Sequence, residues 1–149
     1  MLRLSTDLGN KTQHIASLNI YNQMEITELL NSTHSETITV QHKDTAAVYG
    51  SGALEVFATP AMIALMEMTC LKSVKDKIGE TNTTVGTKVN ISHLKASPVG
   101  NVIRCDSKLI EIDRRRLVFE VKCYDGETLV GEGTHERFIV DSEKFMSKF

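Results

Sequence analysis

What this 149-residue sequence has little of narrows it first. It carries only three cysteines, Cys70, Cys105 and Cys123, odd in number and far apart. That pattern excludes a disulfide framework and fits reduced thiols that pack as small hydrophobes. There is no CxxC and no His-x-x-x-His pair, so neither a metal site nor a cofactor is expected. The formal charge is only -2 and the pI near 6.2, with no segment flooded by Lys and Arg. A nucleic-acid partner is therefore not expected. No apolar run is long enough for a membrane span, and the N-terminus lacks the apolar core of a signal peptide. No membrane partner is expected, and the cytoplasm is the default compartment.

What is present describes an ordinary soluble domain, with 41% hydrophobic and 24% charged residues. The length suits one domain with a sizeable core. Residues 1–23 are polar, with a weak helical pattern from Ile15 to Ile20. They are expected to form a peripheral extension, with residues 24–149 as the folded unit.

The segment SGALEVFATPAMIALMEMTCLKS, residues 51–73, carries most of the information. Thr59 and Pro60 predict a helix start, Thr59 as N-cap and Pro60 in the first turn, where a missing N–H costs nothing. Ala61 to Leu71 is apolar on nearly every side, interrupted only by Glu67 and Thr69. Such a helix belongs in a core. A carboxylate there needs partners or must neutralise, so Glu67 reads as a buried acid with a chemical task. The alternative is a solvated helix face, just as Thr59 alone reads as a cap. Glu67 lies about 12 Å along the helix and roughly 80° around it from Thr59, so a substrate's polar group fits between them. Lys72, Lys75 and Lys77 complement the helix C-terminus, and Gly79 stops it.

The remainder reads as β. Glu36 to His42 alternates as a strand, and Asp44 to Gly52 reads as a loop. Thr84 to Lys95 and Asn101 to Ile112 follow as strands, separated by a turn or kink at Ser97–Gly100. The tip at Asp113–Arg116 reverses the chain, and Leu117, Phe119, Val121 and Cys123 then alternate into one buried face. Asp125–Gly126 signals a hairpin, and Thr128 to Val140 closes the sheet. Gly131 and Gly133 mark a bulge or the close approach of another backbone. One buried helix followed by an antiparallel meander predicts an α+β chain whose sheet wraps the helix.

Three blocks in order, VFATPAMIALME, ISHLKASPVG and GEGTHERFIVDSEKFMSK, resemble the fluoroacetyl-CoA-thioesterase-like branch of the hot-dog thioesterases. The resemblance runs from about residue 36 to the C-terminus. It implies a hot-dog fold, an acyl-CoA substrate, thioester hydrolysis and a homodimer. It also implies a catalytic set of Thr59, Glu67 and His93. Ala53, Leu54, Phe57, His135 and Arg137 are the positions expected to meet substrate. Ala53 stands where the resemblance implies an aromatic gate, so the acyl group is left open.

From the residues alone, His93 is a strand histidine that could be structural or could shuttle protons near neutral pH. His135 is a second such candidate. The run Arg114–Arg116 could meet CoA phosphates or simply be a solvated tip. Three functions follow: a thioesterase, a non-catalytic acyl-CoA-binding module, and an acyl-CoA hydratase or dehydratase.

Overall fold

The computed structural model describes Gly9, residues 11–13 and residues 25–149. The extension thus lies mostly outside the described residues, including the whole of Ile15–Ile20. Five strands follow in chain order: β1 (Thr33–Thr39), β2 (Asn82–His93), β3 (Val102–Asp113), β4 (Arg116–Asp125) and β5 (Thr128–Asp141). They form one antiparallel sheet in the order β1-β3-β4-β5-β2. Among the described residues it is accompanied by α1 (Ala46–Tyr49), α2 (Thr59–Val74) and α3 (Ser142–Met146), and residues 11–13 and 25–27 are also helical.

Helix α2 supplies the centre of the core. Its Met62, Leu65, Met66, Cys70 and Val74 are buried against Ile103, Cys105 and Leu109 of β3 and Leu117, Phe119, Val121 and Cys123 of β4. All three cysteines are fully buried, and burial pushes the Cys70 thiol above its ordinary pKa. A sheet wrapped around one long helix is the hot-dog fold.

Several boundaries differ from the sequence reading. The first strand begins at Thr33 and ends at Thr39, because Val40 onward turns into a single 3₁₀ turn at His42–Asp44. The loop expected after Asp44 contains α1. There the Thr45 hydroxyl donates to the His42 carbonyl at 2.8 Å and accepts from the Val48 N–H, and Gly50 ends the helix at φ 72°. Both turns fall at the residues named, since Arg114 has φ 55° at the basic tip and Gly126 has φ 60° in the β4–β5 hairpin.

The two glycines of β5 are needed for different reasons. The β4–β5 register skips Val130, so the bulge lies beside Gly131, where a Cβ would run into the Met62 sulfur. At Gly133 a Cβ would fall 2.2 Å from the Asn90 carbonyl and 2.6 Å from the Ile91 Cα. Backbone cannot yield as a methionine tip can. Gly133→Ala is therefore expected to destabilise the fold by about 2–3 kcal/mol, the usual scale of overpacking. A thermal melt unchanged from the parent would show that β2 and β5 can separate freely there.

Candidate active site

The chain is pinned immediately before α2. Phe57 N–H donates to the Ser97 carbonyl at 2.8 Å, and Ala58 N–H donates to the Asp44 carbonyl at 2.9 Å. Ala58 is thereby held extended, at φ -72° and ψ 142°, and it is the N-cap. Thr59 is the first helical residue and Pro60 the second, so the reading of Thr59 as N-cap is one residue off. The consequence is chemical. No side chain caps the helix, and the Thr59 hydroxyl instead pairs with His93 Nδ1 at 2.8 Å.

The same entry leaves backbone donors around that hydroxyl. The first bond of the helix ladder runs from Met62 N–H to the Ala58 carbonyl at 3.0 Å. Pro60 has no N–H, so Thr59 and Ala61 carry the two N–H groups outside the ladder at the positive end of the helix. Thr59 is exposed. His93 closes β2 opposite Gly131 and is half-buried, its ring set edge-on to buried Phe57 with centroids 6.5 Å apart.

Glu67 lies two turns further along α2, in a second cluster. Its side chain is 42% exposed, which corrects the expectation of a buried acid. The reason is what it faces. It points at the β2–β5 edge of the sheet, where Gly86 offers no side chain to cover it, and a Cβ at Gly86 would lie 2.6 Å from Glu67 Oε1. Beneath it sit His135 and Arg137, both buried. His135 Nδ1–H donates to the Lys88 carbonyl at 2.8 Å, so Nε2 accepts from Arg137 Nη1–H at 3.0 Å. Arg137 also donates from Nε to the Thr84 hydroxyl at 2.7 Å and from Nη2 to the Thr84 carbonyl at 2.8 Å.

Burial lowers the pKa of His135, against the opposing Lys88 hydrogen bond and with help from the neighbouring guanidinium. A neutral imidazole beside a permanent cation follows. Glu67 Oε1 is 3.7 Å from His135 Nε2, and its charge acts on Arg137, whose own pKa is lowered by burial. Arg137 has no carboxylate within ion-pair distance among the described residues.

The single chain thus joins Thr59 to His93, and Glu67 to Gly86, His135 and Arg137, but leaves the two groups apart. Ala53 and Leu54 are exposed ahead of α2, Leu54 at 69%, whereas Phe57 is buried behind His93. At the basic tip, Arg114 lies beside Asp113 and Arg116 spans Glu111 and Glu136, so two of its three cations already face carboxylates. Sequence reasoning missed Thr84, Gly86 and Ser97. The glycine inside the strand pattern TTVGTKV was the one available signal, since a strand glycine often marks a close approach. Among the described residues, no group of three or more His, Cys, Asp or Glu side chains could hold a metal ion, and no helix is long and apolar enough to cross a membrane.

Residues 40–143 match the fluoroacetyl-CoA-specific thioesterase family. The fluoroacetyl-CoA thioesterase of Streptantibioticus cattleyicolor is 35% identical over 94 residues, 63% of this chain and 68% of that protein. The solved fluoroacetyl-CoA thioesterase FlK superposes with a TM-score of 0.75 at 29% identity, over 80% of this chain and 93% of that one. A variant of it solved with acetyl-CoA gives 0.76 at 28% identity, covering 80% and 94%. A thioesterase superfamily member from Thermus thermophilus shares the fold, with a TM-score of 0.74 at 22% identity, covering 80% and 89%. The chain belongs to the fluoroacetyl-CoA-specific thioesterase family and is a thioester hydrolase of the hot-dog fold.

Proposed function

We propose that the substrate is a short acyl-CoA and that Thr59, His93 and Glu67 hydrolyse its thioester. The observation that carries this reading is the 2.8 Å contact between the Thr59 hydroxyl and His93 Nδ1 at the free end of α2. A threonine hydroxyl is a poor nucleophile unless a base lies within hydrogen-bond reach, and His93 meets that requirement. The thioester carbonyl approaches the Thr59 and Ala61 N–H groups, which stabilise the negative oxygen formed on attack. Thr59 adds to the carbonyl carbon while His93 takes its proton. That proton then goes to the departing CoA sulfur, leaving an acyl-threonine ester. Glu67 draws a proton from water, the resulting hydroxide adds to the ester carbonyl, and that proton passes to the departing Thr59 oxygen, which regenerates the hydroxyl and releases the carboxylic acid. The acetyl-CoA complex of the related enzyme supports the substrate class. Ala53 and Leu54, exposed ahead of α2, flank the acyl group, while His135 and Arg137 hold charge and geometry behind Glu67.

The site in this reading is completed by a homodimer. Strand β2 is an edge of the sheet, with residues 86–90 exposed along it. An unpaired edge invites pairing with a second copy. Antiparallel self-pairing of β2 sets its Gly86 end against the partner's His93 end, bringing Glu67 of one protomer toward Thr59 and His93 of the other. Sedimentation at micromolar concentration is expected to show a dimer, and a purely monomeric profile would remove this completion of the site.

A thiol-release assay across acetyl-CoA and longer acyl-CoAs tests the whole reading. Turnover of at least one short acyl-CoA, with free CoA and carboxylic acid as products, is expected. Tight binding without thiol release would mark a binding module instead, and water addition to an enoyl-CoA would mark a hydratase.

A further inference from the structure

If Thr59 passes its proton to His93 Nδ1, that nitrogen carries the lone pair and the ring proton sits on Nε2. His93 Nε2 is closed off from solvent and has no hydrogen-bond partner. The Ser97 hydroxyl is in the same position, in a residue that is fully buried. Among the described residues these are the two buried side-chain polar atoms left without a partner. Buried polar groups normally find partners, so each of these two orphans calls for an explanation.

Both border Phe57. The Ser97 carbonyl accepts the Phe57 N–H at 2.8 Å, and the Phe57 ring stands edge-on to the His93 ring at 70°. Phe57 is itself buried and lies two residues ahead of Thr59. An N–H that lacks an acceptor and a hydroxyl oxygen that can accept are chemically complementary.

We propose that Ser97 is a positioning residue for His93. The two atoms make no direct hydrogen bond, so its hydroxyl oxygen receives the His93 Nε2–H through one bridging water and so holds the tautomer whose Nδ1 faces Thr59. Glu67 cannot fill this place. It is not within ion-pair distance of His93 in its own chain. A partner's carboxylate arrives from outside, whereas Nε2 is already shielded by its own protomer. The relay is therefore Thr59–His93–Ser97, with a neutral outer member, and Glu67 is left free to act on water. A neutral acceptor orients the imidazole but offers no counter-charge to the imidazolium, so its loss costs less than loss of His93 itself.

This inference rests on the proposed Thr59–His93 chemistry, and its test can be read without turnover. Protein labelled with ¹⁵N-histidine, with His93 assigned by the signals lost in His93→Gln, reports directly which ring nitrogen is protonated. The parent is expected to show the Nε2–H form alone. Ser97→Ala is expected to show a mixture of tautomers, and Ser97→Thr to restore the single form. In thiol release, Ser97→Ala is expected to lower kcat about five- to tenfold with KM within about twofold, and Ser97→Thr to recover it. An unchanged tautomer in Ser97→Ala would overturn the proposal, whether or not the variant melts earlier, because Ser97 would then be structural only. A parent that releases no thiol would sink the hydrolase mechanism, while tautomer loss in Ser97→Ala would still establish the link to His93.

Discussion

Glu67→Gln is expected to lower acyl-CoA turnover about 100-fold while leaving the melting temperature close to that of the parent. The rate figure is the usual scale for losing a general base. The stability expectation comes from exposure. A fully buried acid would gain from losing its charge, but the Glu67 side chain is 42% accessible, so the neutral amide relieves little desolvation. The change also removes the negative charge that acts on buried Arg137, a small cost in the opposite direction. Size and shape are kept, so the close fit over Gly86 survives. Paired thiol-release and melting measurements check both halves. Turnover within a few-fold of the parent would take Glu67 out of the mechanism.

The second large effect concerns the helix entry. Thr59→Val removes the hydroxyl at constant shape, and His93→Gln removes the base. Each is expected to reduce kcat by about 10²- to 10³-fold, since nucleophile and base act together. The double variant is expected to be no more than a few-fold slower than the worse single variant, because a hydroxyl without its base is already inert. Thr59 is exposed and caps nothing, so Thr59→Val should change stability by no more than about 0.5 kcal/mol. Effects that multiply in the double variant would show that the 2.8 Å contact is not a working pair. In that case a water activated by Glu67 would attack the thioester directly.

The strong local signals were the pinned ones. The Thr59–Pro60 start, the alternation of Leu117, Phe119, Val121 and Cys123, and the turn residues Arg114 and Gly126 follow from backbone sterics and from which side chains avoid water. Those rules operate within a few residues, so they are legible one segment at a time. Thr59 and Glu67 could also be singled out in this way, being polar residues on an otherwise apolar helix.

The local rules went astray where a distant segment set the outcome. The cap moved to Ala58 because Asp44, fourteen residues earlier, holds its backbone extended. Helix periodicity points Glu67 into the core, because it cannot tell that the facing strand position is glycine. Ser97 and Thr84 carried no motif, Gly86 only the mark of a glycine within a strand, and their places follow from strand register and from the packing of Phe57.

By itself, then, the sequence determined the helix, the meander, the absence of disulfides and the identity of the polar residues on the helix. Only the tertiary structure decided which of them meet. Thr59 finds His93 thirty-four residues away, and Glu67 finds Gly86, His135 and Arg137, because β2 and β5 pair beside α2 in one fixed register. The physical reason is that chain propensity and burial act locally. Pairing of a nucleophile with its base depends instead on ångström-scale distances that only the packed sheet and helix can set.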